Sequence, residues 1–184
     1  SLIEQKKVAQ ILSTWDKAIE LKEKLIEEKK EQKKGLMQKL LTGEVRLPGF
    51  DGEWEEVRLG NIGKTFNGLS GKSAKDFGVG KPYIRYKNIF NNSKIDLKDV
   101  DYVSISENEK QNAVRYGDIF FTTSSETPEE VGMSSVLLDI AEDLYLNSFC
   151  FGFRLNDFEI LMPEYARFIF RSESFRRDII KLAQ

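Results

Sequence analysis

The chain has 184 residues, with 28 Lys and Arg against 30 Asp and Glu, no His and one Cys. The lack of histidine excludes Ser–His and Cys–His catalysis and argues against a zinc site, and a single cysteine excludes a disulfide framework. No apolar run approaches the roughly 18 residues of a membrane span, and the first residues show no signal-peptide pattern.

The charges are unevenly distributed, although the formal net charge is only -2. Residues 1–46 hold eleven Lys and Arg against eight acidic residues. Residues 58–98 hold nine against two, and residues 99–164 hold three against fourteen. A basic segment thus lies beside an acidic one, and the basic segment is the natural place to look for a contact with an anionic ligand.

The first predicted element is one long helix over residues 1–42. Lys, Glu, Gln and Leu dominate it, and no Pro or Gly occurs before Gly35. Apolar side chains recur at three- and four-residue steps, which predicts a coiled-coil helix about 60 Å long with an apolar stripe. A globular domain of this size is narrower than that, so something outside the helix must cover the stripe. The predicted interface residues are Val8, Ile11, Leu12, Trp15, Ile19, Leu25, Ile26, Leu36 and Leu40.

The rest of the chain predicts a connector and a globular domain. Residues 43–52 are rich in turn formers, with Gly43 suited to the helix C-terminus, and residues 53–184 form the domain. Loops are predicted over residues 61–80 and 122–132, and strands over residues 82–90, 100–105, 119–121, 136–140 and 145–155. Helical spacing predicts a terminal helix over residues 163–184. Short strands, long loops and a terminal helix indicate the α+β class.

Three motifs suggest catalysis, but none of them meets the requirements of a catalytic site. Gly71-Lys72-Ser73 resembles the end of a phosphate-binding loop, but Phe66 stands where that motif needs Gly. Asp76 with Asp96 and Lys98 resembles a loose Mg²⁺ nuclease site, yet such spacing is common in a chain with 32% charged residues. Cys150 lies in the apolar run SFCFGF, which favours a buried structural thiol in a reducing cytoplasm. We therefore expect no catalytic residue, metal or cofactor.

The basic segment is better evidence for binding to an anionic polymer than the three motifs are for catalysis. Its cations are interleaved with aromatic residues and asparagines. Lys and Arg neutralise phosphates, while Asn, Ser and Arg can pair with base edges. Composition alone supports a DNA-binding face and a solvated basic face equally. The hydroxyl run at residues 122–125 could contact phosphate or base, although an ordinary turn is the commoner case for such residues.

Three stretches resemble a known family, the specificity subunits of type I restriction–modification systems. Residues 4–50, from EQKKVAQ to RLPGF, closely resemble the central conserved helical region of that family. WEEVRLGNIGKTFNG and VRYGDIFFTTS resemble the start and middle of its target recognition domains. The first match is long and specific, whereas the other two are short stretches of sequence.

The resemblance implies a non-catalytic subunit whose two recognition domains read the two parts of a site in double-stranded DNA. Two long helices separate the domains, methyltransferase subunits dock on them, and restriction subunits complete the enzyme. This sequence has one helix and one domain, so we expect a half-subunit or a fragment, and leave open whether the domain is complete. We also expect a homodimer through antiparallel helices.

The resemblance and the charge pattern together predict the DNA contacts. Lys64, Lys72, Lys75, Arg85 and Lys87 are expected to position the phosphate backbone. The expected base or sugar contacts are Ser70, Ser73, Tyr86, Asn88, Thr123, Ser124 and Ser125. The alternative hypothesis is a helical dimerisation scaffold that assembles protein subunits, with incidental DNA contact.

Overall fold

A computed structural model of the chain describes residues 1–123, 127 and 130–182. The chain forms two compact units, Ser1–Asp51 and Gly52–Gln184, named here the N-terminal and C-terminal units. The first contains one long helix, and the described residues of the second form two small β-sheets and short helices. The predicted α+β class, with a long helix preceding a globular domain, is confirmed. Across the described ranges, no helix has both the length and the apolar character that crossing a membrane requires.

Helix α1 spans Leu2–Leu41. Its start is capped reciprocally, because the Ser1 hydroxyl accepts a hydrogen bond from the Glu4 amide while the Glu4 carboxylate accepts one from the Ser1 amine. Beyond its end, Gly43 has a φ of 75°, the left-handed conformation that favours glycine. No residue of the helix is buried, and Trp15 is 67% exposed. Within the N-terminal unit, the apolar stripe of α1 is therefore uncovered.

The described part of the C-terminal unit contains two sheets. One has the strand order β1-β7-β4-β5 and is antiparallel throughout. The other has the order β3-β2-β6, in which β3 is antiparallel and β6 parallel to β2. The elements are α2 (Leu59–Ile62), β1 (Gly63–Asn67), a 3₁₀ turn (Ala74–Asp76), β2 (Phe77–Ile84), α3 (Tyr86–Asn91), β3 (Val100–Val103), β4 (Ile119–Thr122), β5 (Ser134–Val136), β6 (Tyr145–Leu146), β7 (Cys150–Leu155), α4 (Pro163–Ile169) and α5 (Glu173–Leu182).

Strand β4 is covered on both faces, which explains its continuous apolar sequence. Phe120 packs into a core with residues of β2 and α3. Ile119 and Phe121 point to the other face and pack into a second core, which includes residues of β7 and α4. A strand buried on both faces does not alternate apolar with polar residues. The strand predictions over residues 100–105 and 119–121 correspond to β3 and β4.

The predicted strand over residues 82–90 is wrong beyond Ile84, because Tyr86–Asn91 forms helix α3. Tyr86 and Phe90 are four residues apart and stack with ring centroids separated by 6.0 Å. Ile89, on the same side of the helix, is fully buried. Over so short a run, the spacing of apolar residues does not distinguish a helix from a strand, so the pattern predicted the wrong element.

The predicted loop over residues 61–80 is also wrong, because it contains β1 and the start of β2. The sequence of β1, GKTFN, has little intrinsic preference for strand. It pairs with β7 over its whole length, from Gly63 opposite Leu155 to Asn67 opposite Phe151. A Cβ at Gly63 would lie 2.6 Å from the Arg154 carbonyl oxygen of β7, so glycine is required there. The neighbouring strand, rather than the local sequence, determines β1.

Two further predicted elements are interrupted. The strand over residues 145–155 is divided by a turn at residues 147–149, and its halves, β6 and β7, belong to different sheets. The helix predicted from Pro163 is broken at residues 170–172, where the Ser172 hydroxyl accepts a hydrogen bond from the Phe175 amide and caps α5. The strand predicted over residues 136–140 lies earlier, at Ser134–Val136.

Candidate nucleic-acid interface

Three segments meet at one end of the C-terminal unit, around the turn at residues 147–149. The turn connects β6 with β7, and thereby joins the two sheets. Segment 68–73 follows β1, segment 85–88 follows β2, and Thr123 follows β4. The strand registers place the last residues of β1, β2 and β4 beside the residues that flank the turn. These three segments and the turn are named the convergent end.

Hydrogen bonds to the backbone of the turn and of the strand ends beside it hold the convergent end together. The Asn147 amide donates to the last carbonyl of β2 at 3.1 Å, and the Leu69 amide donates to the last carbonyl of β6 at 2.7 Å. The amide and hydroxyl of Thr123 donate to the Phe149 carbonyl at 3.1 and 2.8 Å. Gly68 is so close that a Cβ there would lie 2.1 Å from the Asn147 carbonyl oxygen. The turn is thus fixed against the end of β2 and against Thr123, and segment 68–73 is fixed against the end of β6.

A cleft of about 350 Å³ opens between segment 68–73, the start of β2 and the turn. Two of its lining side chains, Leu69 and Tyr83, are buried. Hydroxyl, amide and aromatic groups also line it, contributed by Ser73, Phe77, Asn147, Ser148 and Phe149. Hydroxyls and amides bond to phosphate oxygens and base edges, and apolar groups contact the thymine methyl. The cleft therefore offers the chemistry of a DNA contact.

An ion pair made by Lys72, a predicted phosphate contact, holds segment 68–73 in place. The Lys72 ammonium donates to the Glu109 carboxylate at 2.5 Å and to the Ser104 carbonyl at 2.6 Å. Only 8% of the Lys72 side chain is exposed, so it is not free to contact a phosphate. Gln111 bonds to the same carboxylate and exchanges two hydrogen bonds with the backbone of Ser70. Lys72 thus shapes the cleft rather than serving as a phosphate contact.

This arrangement predicts a local loss of order in acid. Hydrogen bonds from Lys72 and then Gln111 lower the pKa of Glu109 from its ordinary 4.5 to about 2. The carboxylate therefore stabilises segment 68–73 fully above pH 4.5, and this stabilisation is lost as the pH falls from 4.5 towards 2. We expect the Ser70 amide, measured by hydrogen exchange, to lose protection in that range.

A matched pair of variants tests the assignment to Glu109. Glu109→Gln should reduce the protection of the Ser70 amide at neutral pH and remove its acid dependence, because the amide carries no charge. Glu107→Gln changes an exposed carboxylate on the same segment and should behave as the unaltered protein. Equal acid profiles for all three proteins would contradict the assignment.

Segment 85–88 contributes three accessible residues and one that is not. Arg85 is half-exposed and pairs with Asp99 across β2 and β3. Tyr86 is half-buried against the core, and Lys87 is exposed. Asn88 is fully buried, and its amide donates to the carbonyls of Asp96 and Asp99 at 2.8 and 2.6 Å. The Asn88 side chain, predicted to contact DNA, instead organises the chain between α3 and β3 and is not accessible at the surface.

The remaining predicted contacts are only partly brought together. Ser70 and Ser73 lie exposed in or next to the cleft, and Thr123 lies exposed beside the turn. Lys75 is exposed on the 3₁₀ turn that follows. Lys64 lies on edge strand β1 beside a second, largely apolar cleft of about 440 Å³, away from the turn. Ser124 and Ser125 fall outside the described residues.

The convergent end includes residues that the sequence reasoning missed. Asn147, Ser148 and Phe149 form the turn, and Gln111 holds segment 68–73 from outside the basic segment. The signal for the turn was present, because two polar residues interrupt the apolar run YLNSFCFGF. The role of Gln111 has no local signal, since its partner Ser70 is 41 residues away.

The groups that suggested catalysis have structural partners. The Asp76 carboxylate accepts hydrogen bonds from the amide and hydroxyl of Ser73, and Asp96 accepts one from the Lys98 amide. Cys150 is buried, as predicted, and burial raises the pKa of its thiol to about 12. Within the described ranges, no group of three or more metal-ligating side chains is placed to hold a metal ion.

Solved structures share this fold, whereas no protein-family model and no curated protein matches the sequence. One is a chain of a type I R-M system described for its complex assembly and conformational transition. It aligns with a TM-score of 0.52 and 19% identity, over 97% of this chain and 50% of that one. Another is the HsdS subunit from Thermoanaerobacter tengcongensis, with a TM-score of 0.50 and 19% identity over 96% and 48% of the two chains.

These likenesses define the class of fold. The chain has an S-subunit-like fold, that of the specificity subunits of type I R-M systems, and the predicted resemblance is confirmed at the level of the fold. The chain spans about half the length of the solved structures that it matches.

Proposed function

We propose that this chain is a specificity subunit, or half of one, of a type I restriction–modification complex. In this proposal its C-terminal unit recognises a specific sequence in double-stranded DNA and catalyses no reaction. One observation carries the proposal: segments holding most of the predicted DNA contacts meet at the convergent end, beside a cleft of hydroxyl, amide and aromatic groups. The S-subunit-like fold supports it independently.

The exposed residues of the convergent end, together with Lys75 on the adjoining 3₁₀ turn, divide into two proposed roles. Lys75, Arg85 and Lys87 contact phosphates, because each carries a cationic group that solvent can reach. Ser70, Ser73, Tyr86 and Thr123 contact bases or sugars through their hydroxyl groups. Lys64 contacts the phosphate backbone of DNA from the edge of the first sheet, outside the convergent end. Lys72 and Asn88 have no direct contact in this proposal, since their side chains are buried in other interactions.

We further propose that α1 separates recognition domains and docks methyltransferase subunits, with restriction subunits completing the assembly. Its uncovered apolar stripe supports a protein partner, because contiguous exposed apolar surface generally marks an interaction site. The stripe is proposed to bind the α1 of a second copy in antiparallel orientation. A two-fold symmetric dimer of this kind would read a symmetric site in DNA.

The same stripe also supports the second candidate function, a helical scaffold that assembles proteins. In that case the helix would be the functional element and any contact with DNA would be incidental. The two functions are compatible, but they differ in where DNA binding resides. Residues 53–184 alone should bind duplex DNA if the C-terminal unit is a recognition domain, and should not if the scaffold is the whole function.

Salt titration of DNA binding tests the proposal. Binding of the full chain to a duplex containing its target should weaken with salt by a log–log slope of about 0.9 per phosphate contact. Lys75→Ala and Lys87→Ala should each reduce the magnitude of that slope by about 1, because each removes a phosphate contact.

Lys94→Ala is the matched control for these variants. Lys94 is half-exposed beside Val136, at the far end of β4 from the turn, and its pairing with Asp139 is a surface contact of little energetic value. Its removal should leave the slope unchanged. An affinity that stays flat from low to moderate salt would reject the convergent end as a DNA-binding surface.

A further inference from the structure

The most exposed aromatic ring in the cleft belongs to Phe149. Its side chain is 61% exposed, although the residues at either end of the turn, Leu146 and Cys150, are buried. Burying a phenylalanine side chain is favourable, and this ring forgoes most of that gain. A ring held at such a position has a large apolar surface available for a partner.

The backbone beneath this ring is held in one place. The Phe149 amide donates to the Asn147 side-chain oxygen at 2.8 Å, and the Phe149 carbonyl accepts two hydrogen bonds from Thr123. The turn is closed by a hydrogen bond from the Cys150 amide to the Asn147 carbonyl at 3.2 Å. The backbone that carries the ring is therefore held in one place before any partner binds, which lowers the entropic cost of a contact.

The surroundings of the ring are polar. Ser73 and Ser148 line the same cleft with their hydroxyl groups. The side-chain oxygen of Asn147 is engaged by the turn, which leaves its NH₂ group as a donor without a partner among the described residues. An apolar surface surrounded by hydrogen-bonding groups matches a base-pair edge in the major groove, where the thymine C5-methyl is the one apolar group.

Resting on the proposed recognition of DNA, we propose that Phe149 is a specificity-determining residue that contacts a thymine methyl in the major groove. The target sequence therefore contains a thymine beside the convergent end. Because the contact is apolar, it adds to sequence discrimination and leaves the salt dependence of binding unchanged.

Duplex selection with the full chain provides the test. A target is first selected from a pool of randomised duplexes, and affinities for the target and for a scrambled duplex are then measured. Phe149→Ala should weaken binding to the target roughly tenfold, the order expected for one lost base contact, with little change for the scrambled duplex and the same salt slope. Ile140→Ala is the control, because Ile140 is 88% exposed and follows β5, at the far end of β4 from the turn.

Uracil substitution then identifies the methyl group. Replacing each thymine of the target by uracil in turn should weaken wild-type binding about fourfold at one position, the value of one buried methyl group. The same replacement should have no effect on the Phe149→Ala variant. A target without thymine, or uracil effects that are equal in both proteins, would overturn the inference.

The remaining outcomes separate this inference from the proposed function. If the wild-type chain selects no sequence from the pool, the proposed function fails. If it selects a target that Phe149→Ala binds equally well, only the role of Phe149 fails. Thermal unfolding of the variant confirms that the comparison is made between folded proteins, which the exposure of the ring leads us to expect.

Discussion

Replacing Arg171 with Ala should lower the free energy of unfolding of the C-terminal unit by about 4 kcal/mol. The Arg171 guanidinium donates to four backbone carbonyls, of Ser134, Ile89, Phe90 and Asn92, at 2.6–3.0 Å. Two of these belong to the last turn of α3, whose carbonyls have no partner within the helix. Alanine would leave partly buried acceptors without donors, which costs roughly 1–3 kcal/mol for each fully buried group.

The charge of Arg171 is retained in this environment. Burial, with a smaller effect from Arg176, lowers the pKa of Arg171 to about 10, so the guanidinium stays protonated at neutral pH. A cation is also favourable at the C-terminal end of a helix. Arg171→Lys should therefore lose less stability than Arg171→Ala, because the ammonium group keeps the charge and can still reach some of the carbonyls.

Urea denaturation followed by near-ultraviolet circular dichroism measures both variants. Arg177→Ala is the matched control, because Arg177 is exposed on the adjoining helix α5 and has no partner among the described residues. We expect the control to change stability by less than about 0.5 kcal/mol. If Arg171→Ala lowered the free energy of unfolding by no more than this control does, the four hydrogen bonds would contribute little.

Changing Ile19 and Ile26 together to Asp should convert a dimeric protein into a monomer. Both residues lie in the predicted stripe of α1 and are exposed in the single chain. In the proposed antiparallel dimer each would be buried against the partner helix, and an unpaired carboxylate there costs several kcal/mol. We expect the free energy of dimerisation to become less favourable by about 4 kcal/mol, which raises the Kd of the dimer roughly a thousandfold. Light scattering at tens of micromolar protein reports the change directly.

A second double variant controls for added charge. Gln10→Asp with Ser13→Asp introduces the same two negative charges on the side of α1 away from the stripe, and should leave the dimer intact. Wild-type protein that is monomeric at tens of micromolar would reject the dimer itself. Dissociation by both double variants would instead indicate a general effect of charge on the helix.

Local sequence patterns were sufficient for the elements whose stabilising contacts are close in the chain. Helix α1 was predicted to within one residue, because its composition, its periodicity and its terminal glycine all favour the same structure. Strand β4 was predicted from its apolar sequence, which reflects burial on both faces. The buried state of Cys150 followed from its apolar neighbours.

Elements whose contacts are distant in the chain required the tertiary structure. Strand β1 exists because β7 pairs with it from about ninety residues away, and the turn at residues 147–149 separates two strands that join different sheets. The charge on Lys72 and the amide on Asn88 suggested DNA contacts, but each is satisfied by groups that the sequence does not identify. A residue's type determines which bonds it can make, whereas only the folded chain determines which of them are already made.

The sequence by itself therefore determined the long apolar-striped helix, the α+β class and the kinds of group available to contact DNA. The tertiary structure alone determined which of those groups meet at the convergent end and which remain accessible there. The physical reason is that helical periodicity acts over a few residues, while strand pairing and side-chain hydrogen bonding join residues that are far apart in the chain.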